Sequence, residues 1–551
     1  MRVLLVYPKF PTTYWGFQHS LPLIGKRATL PPLGLISVAA LLPRAWEMRL
    51  VDMNVAALRK DDLRWADVVL SSGMLVQEQS IHEILARSRE SGRRTVIGGP
   101  ACTTSPERFD DADCLFLGEA EGRVEALLAA IEGKSSEGRV LHPPAARPSL
   151  HDVPIPRFDL LDIQQYRSMC MQTSRGCPFM CEFCDIIELF GRVPRVKRPA
   201  QVVAELDALR QLGYRGEVFL VDDNFIGNKK AVRPILSEIA SWQRRAGAPF
   251  TFYTEASLNL AEDDELIEAM HEANFTSVFI GIETPDEEAL KKTRKRQNVG
   301  IDIGAALDKL TRAGLEVMGG FIVGFDGDRA ESFEAHRELL RDAPLPLAMT
   351  GLLTALPGTA LWRRLEREGR LRAHSDGDAF ARPNFAPTMP ERELVAGYAK
   401  LLADLYAPKS YFGRSAALVD GIGAPAHPTP ILVEDVLIAL RTLFRLGVLG
   451  ERRSLFWRLL ARAVPRGVHA VRAAIACAVR GEHMIRYTEE VVLPRLGVAL
   501  DQLATEPETR RPRRVSLPLV EEIATTPVFE GDSTPRGTRA ASAPAAPMVR
   551  P

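Results

Sequence analysis

Thr173-Ser174-Arg175-Gly176-Cys177-Pro178-Phe179-Met180-Cys181-Glu182-Phe183-Cys184 is the stretch that decides how this chain is read. Its cysteines are spaced C-x3-C-x2-C. Three thiolates on one tight loop can hold three irons of a cubane 4Fe–4S cluster, and the fourth iron then stays open to bind something else. A structural cluster would want four thiolates, and a structural zinc site four Cys or His ligands. The nearest further candidates are Cys170, too close to the loop for an ordinary framework, and His151 and His271, both far along the chain. The missing fourth ligand is the point of the motif. The competing readings are a chance cluster and a zinc site.

On the C-terminal side of the loop, helix and strand patterns alternate: helix 200–212, strand 217–222, helix 232–246, strand 250–255, helix 263–273, strand 277–282, helix 304–313 and strand 316–323. On its N-terminal side, residues 136–158 carry five prolines and read as a linker. Before that, strand-like runs at 3–7, 48–52, 68–72, 95–97 and 114–117 alternate with helical patterns at 34–42, 79–89 and 121–131. Alternation of this kind predicts a doubly wound parallel sheet. Ligands of such sheets sit outside the carboxyl ends of the strands. There the sequence places Pro8–Thr13, Asp52-Met53-Asn54, Ser71-Ser72-Gly73-Met74, Gly98-Gly99-Pro100 and Gly118-Glu119-Ala120-Glu121.

The bulk numbers bound the rest. A chain of 551 residues is too long for one core and implies about three or four domains. Its formal net charge of zero gives no global electrostatic case for nucleic acid. No apolar run reaches the ~20 residues of a membrane span, and the start of the chain reads as a buried strand rather than a signal peptide. Seven cysteines, three in one loop, are no disulfide framework. An oxygen-sensitive cluster needs a reducing compartment, so the expected location is the cytoplasm. Residues 346–505 are mostly helical in pattern, and the segment from 506 to 551, rich in Pro, Ala, Ser, Thr and Arg, is expected to be disordered. Between Leu437 and Arg486 ten arginines stand against two acidic residues, interleaved with Leu, Phe, Trp and Val. Such a pattern suits peripheral contact with an anionic inner-membrane surface. A solvated arginine face on an ordinary core gives the same spacing.

The cysteine motif resembles the signature of the radical S-adenosylmethionine (SAM) family. With the preceding sheet and the helical extension, residues 1 to about 490 resemble its cobalamin-binding members, of which the hopanoid C-methylases are the best known. The resemblance implies a cobalamin-binding Rossmann-like domain over 1–135, a partial (β/α)6 barrel over 159–345 and a helical domain over 346–505. It also implies three cofactors: a 4Fe–4S cluster on Cys177, Cys181 and Cys184, SAM, and cobalamin. The D-x-H-x-x-G motif that supplies a lower-axial His elsewhere is absent. In the family, Phe183 would lie along the adenine, and the strand end Asp222-Asp223-Asn224 would meet the methionine part of SAM. Glu255 and Glu283, ending the next two strands, would meet ribose or substrate and serve catalysis. Gly320 and Gly324 match the adenine strand, although the acidic residue often found three positions later is Gly327 here. Asp52, Ser71, Ser72, Gly73, Met74, Gly98, Gly99, Pro100, Gly118 and Glu119 would border cobalamin. The loop Ser375-Asp376-Gly377-Asp378 and Arg382-Pro383-Asn384-Phe385 would line the substrate pocket.

The implied activity is methylation of an unactivated carbon in a lipid or natural-product intermediate. SAM cleavage would be driven by a reducing electron donor such as flavodoxin or ferredoxin. The rival readings are ring formation, ring contraction or oxidation on the same scaffold, and a non-enzymatic cluster-plus-corrinoid sensor.

Overall fold

The run Val3-Leu4-Leu5-Val6 is wholly buried, as a strand covered on both faces of a parallel sheet must be. It forms β1 (Arg2–Tyr7) in the computed structural model, which describes residues 1–506 apart from 145, 376, 378, 379 and 429–432. With β2 (Glu47–Asp52), β3 (Val68–Ser72), β4 (Arg94–Gly98), β5 (Cys114–Phe116) and β6 (Val140–Leu141) it makes a parallel sheet in the order β2-β1-β3-β4-β5-β6. The order reverses between β1 and β3, which places the crevice for a ligand beside the ends of those strands. The two-residue β6 falls inside the expected linker, and its neighbour Pro143 packs on Gly118.

The second sheet is also parallel and runs in strict chain order: β7 (Met169–Met171), β8 (Gly216–Leu220), β9 (Phe250–Ala256), β10 (Phe275–Glu283), β11 (Glu316–Val323) and β12 (Ala348–Leu352). Sequential order with helical crossovers is the topology of an open barrel. Along β10, Val278, Ile280 and Ile282 are fully buried and pack with Leu307 and Leu310 of the helix Ile303–Arg312. The alternate residues Phe279 and Gly281 are partly exposed and mark the concave face. Sequence reading missed β7, only three residues long, and β12, whose Ala-Met-Thr-Gly-Leu shows no alternation. The barrel therefore runs past residue 345.

Helices Glu391–Tyr406, Pro408–Gly421, Arg453–Ala463, Val468–Tyr487 and Leu493–Thr505 pack beyond β12. Arg480 of this group reaches the start of β11, where it pairs with Glu316 at 2.6 Å with both groups largely buried. The N-terminal loop after β1 crosses to the same helices: the Tyr14 and Thr488 hydroxyls lie 2.6 Å apart, and His483 Nε2 lies 2.9 Å from the Thr13 carbonyl. The expected disordered tail lies outside the described residues from 507 onward, as do Asp376 and Asp378 of the expected pocket loop.

Candidate active site

The cysteine loop is built from its ends inward. Asp222, just after β8, is fully buried and accepts the Thr173 N–H at 2.6 Å, the Thr173 hydroxyl and the Ser174 hydroxyl at 2.7 Å. Both oxygens are thereby spent on the loop's own backbone and side chains. In this arrangement Asp222 holds the start of the cysteine loop in place. Asp223 accepts the Gly176 N–H at 2.7 Å. Gly176 itself has φ +96°, and a Cβ there would lie 2.8 Å from the Gly191 carbonyl, so only glycine lets the loop turn into Cys177.

Cys177, Cys181 and Cys184 are free thiols on this loop. Cys170 is buried in β7 near Tyr7, Tyr214 and Tyr253. Among the described residues Cys181 interacts electrostatically with both Cys177 and Cys184, and Cys170 with none of the three, so the residues present fit three ligands to a cubane with one open iron better than a four-ligand zinc site. Gln297 Nε2 donates to Cys181 Sγ at 3.5 Å. Such N–H···S bonds around a cluster help set its potential.

Glu283 stands in the left-handed region, φ +69°, at the end of β10. Its carboxylate pairs at 2.6 Å with the buried Lys295 ammonium rather than lying free. The Glu283 carboxylate and the Lys295 ammonium thus stand together as an ion pair at the end of β10. Burial works against the Lys295 charge, but Glu283 and the neighbouring Cys181 and Cys184 outweigh it and hold the ammonium above the usual lysine range. Lys295 was not found in the sequence, because Lys291-Lys292-Thr293-Arg294-Lys295-Arg296 reads as a solvated charged face. Its place is fixed by tertiary contacts, among them the Glu182 N–H donating to the Thr293 carbonyl at 3.0 Å.

Glu255, at the end of β9, sits in register with Phe279 of β10 and Met318 of β11 on the concave face. No described residue hydrogen-bonds its carboxylate. Burial, then Asp223 and Asp222, raise its pKa to about 8. Burial likewise lifts Asp223 to about 7 against the opposing Gly176 N–H. Asn224 donates to the Ser257 hydroxyl at 3.1 Å, while its buried Oδ1 has no partner.

Phe183 lies 5.9 Å from Phe325 between ring centroids, which brings the cysteine loop against the end of β11. There Asp328 accepts the Gly324 and Phe325 N–H groups at 2.7 and 3.1 Å. Burial raises this carboxyl to about 6, and its second oxygen is buried without a partner. Asp328 follows Gly327 directly, and its carboxylate folds back onto the turn after β11. Gly320 leaves room for the Phe279 ring, which a Cβ would meet at 2.7 Å.

In the first domain the Ala101 N–H donates to the Gly73 carbonyl at 3.0 Å, bringing together Ser71-Ser72-Gly73-Met74 and Gly98-Gly99-Pro100. Ser71 Oγ is buried there without a partner, and a Cβ on Gly98 would meet little. This edge of small residues with one unsatisfied hydroxyl fits a large flat ligand with a polar tail. Gly99 has a different reason from the one expected: at φ +89° its Cβ would overlap Ser72 Oγ.

Two further acids at the strand ends have partners within the protein. Asp52 is buried, with its oxygens taken by Asn54 N–H and Nδ2 at 2.8 Å and by the Tyr166 hydroxyl at 3.0 Å. Glu119 accepts from Arg175 at 2.7 Å and from Arg195 at 2.9 Å, while Glu121 pairs with Arg175 at 2.8 Å. Glu119 and Glu121 join the first domain to the cysteine loop, Glu119 Oε1 is buried without a hydrogen-bond partner, and Gly118 faces Pro143.

The comparisons with known proteins follow this anatomy. The B12 binding domain matches residues 26–128, the radical SAM superfamily 171–340, and a domain of unknown function, DUF4070, 359–494. An uncharacterised methyltransferase of Synechocystis sp. is 41% identical over 508 residues, 91% of this chain and 94% of that protein. The hopanoid C-2 methylase of Rhodopseudomonas palustris is 35% identical over 500 residues, 89% of this chain and 94% of that protein. The chain belongs to the cobalamin-binding radical SAM methyltransferases. Its cofactors are a 4Fe–4S cluster, SAM and cobalamin. This methyltransferase shares its fold with TsrM from Kitasatospora setae, solved with cobalamin and the cluster (TM-score 0.58, 16% identity, 84% of this chain and 99% of that one). It shares it also with OxsB, solved with aqua-cobalamin (TM-score 0.57, 15% identity, 91% of this chain and 83% of that one).

Glu255 gives a test of the site's electrostatics. Its folded pKa lies above the ordinary 4.5, so the unfolded chain releases the proton first. The associated stability is fully present below about 4.5 and is lost as pH rises through about 8. Glu255→Gln should therefore melt close to the parent at acid pH and be the more stable protein above pH 8, by about 1 kcal/mol or more. An equal difference at both ends of the range would refute the assignment.

Proposed function

We propose that this methyltransferase acts on a largely apolar lipid, adding a methyl group to an unactivated carbon. The observation that carries the reading is the concave face itself. Trp15, 47% exposed, stands edge-to-face with Phe279 at 4.9 Å, and Gly320 keeps that ring in place. Glu255 is the ionisable group in register with Phe279. A surface of this kind holds a ligand by apolar burial and orients it by few polar contacts. The 35% identity to a hopanoid C-2 methylase supports a lipid substrate.

In this reading Cys177, Cys181 and Cys184 hold the cluster. Phe183, Asp223, Asn224, Gly324 and Asp328 border SAM, and Ser71, Ser72, Gly73, Met74, Gly98 and Pro100 border cobalamin. When bound, the cluster and SAM supply a 5′-deoxyadenosyl radical and cobalamin supplies the methyl group. The protein's part is to bind, orient and exclude competing reactions. Asp222 and Asp223 hold the loop, the Glu283–Lys295 pair keeps one positive charge beside the thiolates, and Glu255 with its raised pKa can hold a proton near neutral pH. A flavodoxin or ferredoxin is the electron donor.

The test is incubation of the reconstituted enzyme, under reducing conditions with methyl-labelled SAM, with lipid and aqueous extracts of a deletion strain. Label is expected in the lipid fraction. Label confined to the aqueous fraction would replace the lipid reading with a soluble intermediate.

A further inference from the structure

Of the 17 large apolar side chains that are exposed among the described residues, nine fall between residues 436 and 468. The remainder are spread over the rest of the chain, and scattered exposed apolar residues are ordinary. Six of the nine lie on the helix Val433–Thr442, the π-helical turn Leu443–Val448 that continues it, and the following helix Arg453–Ala463. Val436, Leu440, Phe444 and Val448 recur every fourth residue, which puts them on one stripe. Each is 47–57% exposed, and Trp457, 46% exposed, belongs to the same group of elements. The opposite side of this unit is accounted for: Thr442 and Gly447 are buried, and Leu443 and Leu446 pack on the core.

The arginines of this region divide into two sets. Arg452 pairs with Glu482 and Glu489, and Arg462 and Arg466 pair with Asp420. These three serve the protein's own packing. Arg441, Arg445, Arg453 and Arg458 are exposed and have no acidic partner among the described residues. Arg441 and Arg445 directly follow Leu440 and Phe444, so they border the apolar stripe. Four uncompensated guanidinium groups beside half-exposed Leu, Phe, Val and Trp side chains are complementary to one surface chemistry: anionic headgroups over acyl chains.

We propose that this face docks on an anionic bilayer. Its placement relative to the site gives the docking a use. Helix Val433–Thr442 packs on the turn Leu21–Ile24, and the same N-terminal loop carries Trp15 against Phe279 on the concave face. The loop therefore runs from the docking face to the mouth of the barrel. The proposal deepens the lipid reading and rests on it only for the purpose of docking. Vesicle binding tests the surface, whereas the extract assay tests the substrate.

The experiment is flotation of the full chain with vesicles of phosphatidylcholine and phosphatidylglycerol, and with phosphatidylcholine alone. Co-flotation with the anionic vesicles is expected at low salt, weakening as salt is raised. Changing Arg441, Arg445, Arg453 and Arg458 together to Gln should weaken binding more than a hundredfold, at about fivefold per charge. Phe444→Glu should abolish it. Both variants alter exposed groups, so their melting temperature and 5′-deoxyadenosine formation should match the parent. Failure of the parent to float, or flotation indifferent to these changes, would overturn the proposal. A concentration-dependent dimer that Phe444→Glu dissociates, without vesicle binding, would assign the face to a second copy of the chain and overturn it equally.

Discussion

Changing Cys177, Cys181 or Cys184 to Ala is expected to leave the anaerobically reconstituted protein without its cluster and to abolish 5′-deoxyadenosine formation from SAM. Each thiolate holds one iron, and a cubane deprived of one of three protein ligands has two open corners instead of one. Cys102, Cys114, Cys170 and Cys477 are all buried elsewhere in the fold. Their replacement by Ala should leave iron content and SAM cleavage near the parent's, with a modest loss of stability from the cavity. Iron and sulfide analysis with 5′-deoxyadenosine quantification reads both effects. Loss of the cluster in Cys170→Ala would mean that a fourth ligand exists, and the open-iron argument would fail.

The second large effect concerns the junction of the first domain with the cysteine loop. Arg175 is 14% exposed, and it meets Glu119 and Glu121, 5% and 11% exposed. Arg175→Met should remove the guanidinium without removing the carboxylates, leaving Glu121 with the weaker influence of Lys197 and Glu119 with Arg195 and Arg147. Breaking a buried pair in this way typically costs about 3–5 kcal/mol, because an uncompensated charge remains. Burial opposes the Glu121 charge, but Arg175 outweighs it and holds that carboxyl below the usual range. The stability so gained is present at neutral pH and is lost as pH falls through the folded pKa, so the cost of Arg175→Met should shrink in acid. Urea unfolding at neutral and acid pH checks both statements. A change below about 1 kcal/mol at neutral pH would show that the network behaves as a surface pair.

The sequence displayed the architecture well where pattern and length agreed. The buried run of β1, the strand pattern ending at Asp52 and the alternation through β8 to β11 all carried a readable period. The three cysteines carried their chemistry in their spacing alone. What was not legible depended on partners distant in the chain. Asp222, Asp52 and Glu119 are acids at strand ends, and sequence reading assigned them to cofactors. Their occupants are Thr173 and Ser174, Tyr166, and Arg175 with Arg195, between 48 and 114 residues away for the bonds from Ser174 and Tyr166. Conversely Lys295 and Asp328 carry no local signal, and the contacts that bury them come from the end of β10 and the turn after β11. The arginine-rich helices were read as one amphipathic face. The structure separates the paired Arg452, Arg462 and Arg466 from Arg441, Arg445, Arg453 and Arg458.

The most direct measurement of the central claim is the stoichiometry of one reaction. The reconstituted enzyme, with cobalamin, a strong reductant, methyl-labelled SAM and the extract fraction that supports turnover, should form 5′-deoxyadenosine and a product in which one labelled methyl group replaces a hydrogen, in equal amounts. Formation of 5′-deoxyadenosine with a product of unchanged carbon count would contradict methyl transfer and assign this chain to ring formation or oxidation.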